Sequence, residues 1–167
     1  MSGKRKMEVF FDYSCPYCLK GHEYLEALYK QFADIEIVWC PCEAHPRPEP
    51  GPHSDLALQG LFYAIENGAD VWEFHKRMYH ALLKDRIDKE NVDVLAECVK
   101  DIVDVADFKQ AIISGKYADV QQGMNDHAYE VSGVWAIPSY RMDGEKLDSV
   151  AGIGVTKEQL REFMAQG

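Results

Sequence analysis

A strand, a helix and a second strand follow one another at the start of the chain, and this order constrains the fold more than any other feature. Residues 7–11 form a short apolar segment, and residues 35–39 form a second one that is rich in β-branched side chains. Between them, apolar side chains recur at about the 3.6-residue spacing of a helix with one buried face: Leu19, Leu25, Leu28, Tyr29 and Phe32. Two strands joined by a helix form a βαβ unit, so we expect parallel strands and a right-handed crossover.

The rest of the chain divides into a proline-rich crossing, a helical region and a carboxyl-terminal ββα unit. Five of the seven prolines fall between residues 41 and 52, which excludes a helix or a central strand there. Residues 54–131 have helical periodicity without a repeat that would indicate a solenoid. A hairpin with a turn at Asp143 and Gly144 follows, and Thr156 with Gln159 forms a capping box for a terminal helix. We therefore predict one α/β domain over residues 1–167, with a core of residues 7–53 and 132–167 and a helical insertion of residues 54–131.

Size and charge exclude several classes of protein. A length of 167 residues is typical of a single domain, and the apolar runs are too short for a transmembrane helix. The 18 basic and 28 acidic side chains give a net charge of −10, so we expect neither nucleic acid nor a membrane as a partner. Five cysteines are an odd number and too few for a secreted scaffold held together by disulfides.

The amino-terminal segment bears on the cellular compartment. Basic residues 4–6 resemble the charged start of a signal peptide, but the segment that follows carries Glu8 and Asp12. It is also far shorter than the apolar core of roughly 7–15 residues that a signal peptide needs. We therefore expect the protein in the cytoplasm.

The strongest chemical signal is a pair of cysteines, Cys15 and Cys18, that lies between the first strand and the helix. The amino terminus of a helix carries unpaired N–H groups and about half a positive charge, which stabilise a thiolate held there. Because the thiolate is the nucleophile in disulfide exchange, we predict that Cys15 attacks and that Cys18, one turn into the helix, resolves the mixed disulfide. Pro16 suits the first helical turn, where its missing N–H has no cost. A C-x-x-C pair also forms half of many zinc sites, and that alternative stays open.

A proline far along the chain also requires a special reason. Pro138 starts a predicted hairpin strand, where proline cannot donate to the ladder. A cis bond between Ile137 and Pro138, facing the thiols, would be such a reason. It would turn the Ile137 backbone outward, free to pair with an extended substrate. An ordinary trans proline at the start of a strand is the alternative.

These segments resemble the DsbA-like branch of the thioredoxin superfamily, over roughly residues 7–165. The resemblance rests on the Cys-Pro-Tyr-Cys motif, on the helical insertion after the βαβ unit, and on the sequence Gly-Val-Trp-Ala-Ile-Pro-Ser-Tyr at residues 133–140. That stretch is similar to the Gly-Val-x-Gly-x-Pro-x-aromatic segment around the family's cis-proline, with Ala136 in place of the second glycine. The resemblance implies a thioredoxin-like fold, βαβ…ββα with a large helical insertion, a redox-active dithiol at Cys15 and Cys18, and a cis Pro138 beside it.

The resemblance also implies a dithiol–disulfide oxidoreductase that needs no organic cofactor and acts on a protein or small molecule that carries a thiol or a disulfide. Tyr17, Pro138 and the backbone of Ile137 would shape the substrate groove, while Pro16 and Tyr17 tune the reactivity of Cys15. The Pro-Tyr dipeptide is common in glutaredoxins, so glutathione is a candidate reductant. A related branch contains glutathione-dependent isomerases and transferases, which generally carry serine at the position of Cys15. Membership of that branch is the alternative function.

Cys40 and Cys42 form a second close pair at the end of the second strand. Since the ends of parallel strands share one edge of a sheet, we expect this pair near the active site. Together with Cys15 and Cys18 it matches a four-thiolate zinc set, C-x2-C-x21-C-x-C. A second redox relay is another interpretation. The favoured one makes Cys40 a small buried residue and Cys42 an exposed bystander, with no metal ligand assigned.

The remaining cysteine, the histidines and one acidic residue receive no chemical role. Cys98 lies on the apolar stripe of a helix and is expected to be buried and inert. His22 is expected at the surface, and His75 and His127 lie on predicted helices without ligand spacing. Asp12 is expected simply to end the first strand.

Overall fold

A computed structural model describes residues 4–166, and its centre is a four-stranded sheet. The strands are β1 (Arg5–Phe11), β2 (Ile35–Pro41), β3 (Ser139–Met142) and β4 (Glu145–Asp148), in the spatial order β2-β1-β3-β4. β1 and β2 pair in parallel, whereas β3 is antiparallel to both β1 and β4. The predicted parallel pair and the hairpin are therefore confirmed. β3 begins after Pro138 rather than at Ile137, because proline has no N–H to donate to the ladder.

The predicted insertion is helical, and further helices outside it pack against the sheet. The helices are α1 (Pro16–Leu28), α2 (Asp55–Glu66), α3 (Val71–His80), α4 (Val92–Cys98), α5 (Val105–Ile113), α6 (Ala118–Asp126) and α7 (Lys157–Ala165). Short π-helical turns, Ala81–Asp85 and His127–Val131, continue α3 and α6. Thr156 and Gln159 form the complete capping box predicted for α7. None of the helices within residues 4–166 is both long and apolar enough to cross a membrane.

The two faces of the sheet are buried in two separate apolar clusters. Successive side chains of a strand point to opposite faces. On β1, Met7, Val9 and Phe11 belong to a large cluster that includes side chains of α1, α7 and the inserted helices. Phe10 points the other way, into a second and smaller cluster, which also contains Cys40, Cys42, Ala128 and Val134. Each large apolar side chain that is fully buried contributes about 1.5–3 kcal/mol, so the large cluster holds the sheet and the insertion together.

Candidate active site

Cys15 is the residue that immediately precedes α1. Its backbone is extended (φ −102°, ψ 117°), and Pro16 follows as the first helical residue. The carbonyl oxygen of Cys15 accepts hydrogen bonds from the N–H groups of Cys18 and Leu19, at 3.1 and 3.2 Å. The cysteine pair therefore occupies the strand-to-helix junction that the sequence predicts, with Cys18 in the first turn.

A buried carboxylate fixes the turn that leads into this junction. Asp12 is 1% exposed. It accepts hydrogen bonds from the N–H groups of Ser14 and Ala44, both at 2.9 Å, and from the hydroxyl of Ser54 at 2.8 Å. Asp12 thus ties the thiol turn to the segment after β2 and to the start of α2, a larger role than ending β1. Its position three residues before Cys15 could have indicated a role at the active site. Its partners Ala44 and Ser54 lie too far along the chain to be found from spacing.

The two thiols of the motif differ in accessibility to solvent and in how readily they ionise. Cys15 is partly exposed, whereas Cys18 is buried. A hydrogen bond from the Cys18 thiol lowers the pKa of Cys15, assisted by the backbone N–H groups of Cys18 and Tyr17 and opposed by partial burial. Burial, and next the interaction with Cys15, raise the pKa of Cys18 well above its usual value. A single thiolate therefore forms on Cys15, the accessible member of the pair.

The segment around Pro138 lies against these thiols. The Ile137–Pro138 peptide bond is cis. Sγ of Cys15 lies 3.8 Å from the carbonyl oxygen of Ile137. Within residues 4–166, neither the N–H nor the carbonyl of Ile137 pairs with another backbone group.

The close approach of α1 to this segment depends on Gly21. A Cβ at that position would lie 2.6 Å from the hydroxyl oxygen of Tyr140 and 3.0 Å from Cγ of Pro138. The first of these distances is shorter than any ordinary contact, so a larger residue would push α1 away from Pro138.

Large apolar side chains are exposed on the segments around the thiols. Tyr17 is 40% exposed, and its Cβ would be 3.3 Å from a Cβ at Gly154, where φ is +82°. Trp135 precedes the Ile137–Pro138 bond and Ile153 precedes Gly154, and about two thirds of each side chain is exposed, 67% and 66%. The surface beside Cys15 is therefore apolar and accessible.

Behind Cys18 lies a small enclosed cavity whose walls are mainly aromatic and imidazole side chains. His22 lines it and is buried, so the prediction of a surface position is wrong. The reason is tertiary, because α3 packs its Trp72, His75 and Tyr79 against the imidazole. Burial lowers the pKa of His22 to about 4 and the pKa of His75 well below its usual value. Both imidazoles are therefore neutral at neutral pH.

The second cysteine pair has a different environment. Cys40 and Cys42 are both buried, so the prediction of an exposed Cys42 is wrong. The N–H of Cys42 donates to the carbonyl of Phe11 at 2.9 Å, which continues the β1–β2 pairing and turns the Cys42 side chain into the small apolar cluster. Burial raises the pKa of Cys42 to about 12, and burial with the nearby Glu8 carboxylate raises the pKa of Cys40 further. Thiols that resist ionisation in this way are poor partners in disulfide exchange.

The four-thiolate zinc set is not assembled. Over the described part of the chain, the single group of three Cys, His, Asp or Glu side chains with closely spaced ligand atoms contains Cys40 but neither Cys15, Cys18 nor Cys42. Cys98 is only partly buried, contrary to expectation, and is the last residue of α4. Its thiol donates to the carbonyl of Val94 at 3.2 Å.

The sequence of this chain is similar to those of known proteins. Residues 6–162 match the family model described as the DSBA-like thioredoxin domain. The chain is 24% identical over 193 residues to uncharacterized protein YwbO of Bacillus subtilis (strain 168), in an alignment that covers 93% of this chain and 96% of that protein.

Solved structures similar to this chain share its architecture. BdbD from Bacillus subtilis has a TM-score of 0.75 at 15% identity, covering 97% of this chain and 88% of its own. DsbA from Chlamydia trachomatis has a TM-score of 0.73 at 16% identity, with coverage of 97% and 85%. MdbA, a thiol-disulfide oxidoreductase from Actinomyces oris, has a TM-score of 0.69 at 19% identity, with coverage of 98% and 81%. These similarities confirm the predicted thioredoxin-like fold with a helical insertion. Since the family model spans nearly the whole chain, the protein belongs to the DSBA-like thioredoxin domain family.

Proposed function

We propose that the protein is a dithiol–disulfide oxidoreductase in which Cys15 is the nucleophile and Cys18 the resolving thiol. One observation carries the proposal: the pKa of the accessible thiol at the start of α1 is lowered, while the pKa of its buried neighbour is raised. An attacking thiol has to ionise first and be reached by the substrate. The resolving thiol has to stay protonated until the mixed disulfide forms, and the buried position of Cys18 favours this order.

The reaction proceeds in two exchanges. The Cys15 thiolate attacks one sulfur of a substrate disulfide, so that a Cys15–substrate disulfide forms and the released substrate sulfur takes a proton. Cys18 then loses its proton and attacks Sγ of Cys15, which forms the Cys15–Cys18 disulfide and releases the second substrate sulfur as a thiol. The substrate gains two electrons and two protons, and the protein dithiol loses them. The same steps in reverse oxidise a dithiol substrate.

The surface beside Cys15 supports binding of an extended segment. Within residues 4–166 the backbone of Ile137 makes no hydrogen bond to another backbone group, so it can pair with a substrate segment as a peptide does when it adds to a sheet edge. The exposed side chains of Tyr17, Trp135 and Ile153 provide apolar contacts around it. We infer that the substrate is a protein or small molecule bearing a thiol or disulfide. The two sulfurs carry the electrons, so an organic cofactor is not required.

Two cysteine variants test the roles directly. Cys18→Ser, incubated with a peptide disulfide, should accumulate a mixed disulfide at Cys15 that dithiothreitol releases, because the resolving step is blocked. Cys15→Ser should lose exchange by at least about a thousandfold, as expected when a nucleophile is removed. Mass spectrometry identifies the adduct, and the matched control Cys98→Ser should behave as the unmodified chain.

The outcomes separate the proposal from the glutathione-dependent alternative. Unchanged turnover in Cys15→Ser would contradict the assignment of the nucleophile. Turnover that persists in Cys18→Ser and requires glutathione would assign a monothiol reaction instead. A titration of the dithiol in glutathione buffers then gives the direction of electron flow, since potentials of about −120 mV and about −270 mV mark an oxidant and a reductant. The cytoplasmic location is part of the proposal, and cell fractionation followed by immunoblotting tests it.

A further inference from the structure

Three potential metal ligands converge on the face of the sheet that carries the small apolar cluster. Glu8 belongs to β1, Cys40 to β2, and His127 begins the π-helical turn after α6. Their ligand atoms all lie within 4.8 Å of one another. In residues 4–166, no other set of three or more Cys, His, Asp or Glu side chains has its ligand atoms this close together. We propose that Glu8, Cys40 and His127 form a zinc-binding site, separate from the Cys15–Cys18 dithiol and outside the function proposed above.

The distances are close to those of a tetrahedral site. Nε2 of His127 lies 2.6 Å from Oε2 of Glu8, and Sγ of Cys40 lies 3.8 Å from the same oxygen. With Zn–N and Zn–O bonds of about 2.0–2.1 Å and Zn–S bonds of about 2.3 Å, tetrahedral ligand atoms are about 3.3–3.6 Å apart. The imidazole and carboxylate therefore have to separate by less than about 1 Å to admit the ion. The side chains of Glu8 and His127 are 31% and 35% exposed, which leaves them room for this movement.

The donor set suits zinc in charge as well as in atom type. Thiolate, imidazole and carboxylate are the three side-chain ligands that zinc binds most often. On binding, the ion replaces the proton on Sγ of Cys40, and that proton is released to the solvent. The thiolate and the carboxylate then balance the two charges of Zn²⁺. Arg141, opposite Glu8 on β3, directs its guanidinium to Asp148 and to the carbonyl of Ser132, so it leaves the Glu8 carboxylate available.

A catalytic Cys–His–Glu triad would use the same residue types, but the arrangement here is different. Cys40 and His127 both contact Glu8, so the carboxylate is in the middle and the thiol faces the carboxylate rather than the imidazole. Cys40 is also only 1% exposed. A nucleophile requires access for the substrate as well as an adjacent base, and the buried Cys40 lacks that access. Metal coordination needs only the convergence of the three atoms.

The geometry points to a site with one open coordination position. Glu8 and Ser132 line an open cavity of about 600 Å³ on this side of the sheet. Oγ of Ser132 lies 3.5 Å from Nε2 of His127, where it can hydrogen-bond a fourth ligand such as water. Structural zinc sites have four protein ligands, whereas three protein ligands leave the fourth position of the ion for water or another small ligand.

Cobalt titration of the full chain tests the site. The parent for all measurements is Cys15→Ser/Cys18→Ser, because the dithiol could itself bind metal. We expect one Co²⁺ per chain, with a thiolate-to-cobalt absorption band in the near ultraviolet and tetrahedral bands in the visible, both lost when Zn²⁺ is added. Glu8→Gln, Cys40→Ser and His127→Gln should each weaken binding by at least about 10–100-fold. Cys40→Ser should also abolish the near-ultraviolet band.

Matched controls show whether the effect is specific. His45→Gln changes an exposed imidazole, and Cys98→Ser removes a thiol elsewhere in the fold, and both should keep the affinity of the parent. Near-ultraviolet circular dichroism of each metal-free variant verifies folding, and the nearly isosteric Glu8→Gln decides the matter if Cys40→Ser does not fold. The proposal is overturned if the parent binds no stoichiometric Co²⁺, or if Glu8→Gln and His127→Gln bind it as tightly as the parent. Because the parent lacks both redox thiols, this result is independent of the oxidoreductase proposal.

Discussion

Two pairs of cysteines lie at the carboxyl ends of the parallel strands β1 and β2. The pairs differ in the exposure of their thiols and in the backbone N–H groups that are available to them. Cys15 and Cys18 follow β1 and begin α1, with the first thiol partly exposed. Cys40 lies at the end of β2 and Cys42 directly after it, and both thiols are buried. The pKa of Cys15 is lowered, whereas those of Cys40 and Cys42 are raised.

We infer that the backbone around a thiol affects its chemistry more than the spacing of the cysteines does. The first turn of a helix has N–H groups without intrahelical partners, so they are available to a thiolate. A strand uses its N–H groups in the ladder, as the N–H of Cys42 does with the carbonyl of Phe11. A buried thiol at a strand end therefore keeps its proton unless a metal ion replaces it.

The largest expected difference between the pairs is in alkylation. At neutral pH, iodoacetamide should modify Cys15 of the reduced protein at least about 100-fold faster than Cys42, because only the thiolate reacts. The rate at Cys15 should rise with pH through an inflection below that of a free cysteine, because the hydrogen bond from the Cys18 thiol lowers the pKa of Cys15. Burial raises the pKa of Cys42 to about 12, so its rate should stay low until strongly alkaline pH. Peptide mass spectrometry measures both rates, and similar rates at neutral pH would remove the distinction between the pairs.

A smaller effect is expected from closing the gap between α1 and Pro138. Gly21→Ala should lower the free energy of unfolding by about 1–3 kcal/mol, because the new methyl group overpacks against Tyr140 and Pro138. It should also slow exchange at Cys15 while leaving the environment of Cys40 unchanged. The control is Gly123→Ala in α6, where a Cβ meets nothing within 4 Å. That variant should gain about 0.5–1 kcal/mol through helix propensity. Urea denaturation compares the two, and equal stabilities would contradict the packing described for Gly21.

The smallest expected effect concerns the imidazoles behind Cys18, which are far more buried than His127 beside Cys40. The pKa of His22 falls to about 4 on folding, so between that pH and about 6.5 the unfolded chain binds a proton that the folded chain does not. The free energy of unfolding is therefore unaffected by His22 above about pH 6.5, and it falls as the pH falls from there towards 4. His22→Gln should therefore reduce the loss of stability between pH 7 and pH 5 by up to about 2 kcal/mol.

Urea denaturation at several pH values measures this dependence. A slope that is the same in His22→Gln as in the unmodified chain would show that His22 is not held neutral by burial.

Local sequence patterns predicted the parts of the molecule that depend on neighbours along the chain. Thr156 and Gln159 predicted the start of α7, because a capping box involves residues three positions apart. Asp143 and Gly144 predicted the β3–β4 turn for the same reason. The placement of Cys15 before α1 followed from the order of an apolar strand and an amphipathic helix.

Patterns along the chain missed the contacts between distant residues. His22 was expected at the surface because its own helix does not show that α3 covers it. The contact between Glu8 and His127 joins residues 119 positions apart, which no motif spacing records.

Local patterns along the chain were enough to predict that a C-x-x-C pair begins a helix after a buried strand, since helix starts and strand periodicity are local properties. Which thiols and imidazoles are buried, and what they face, depends on the packing of elements that are distant along the chain. Burial depends on where the inserted helices pack, and hydrophobic packing is set by the total apolar surface removed from water rather than by adjacent residues. For that reason Cys15 and Cys42, the same residue type at the same edge of one sheet, have opposite pKa shifts.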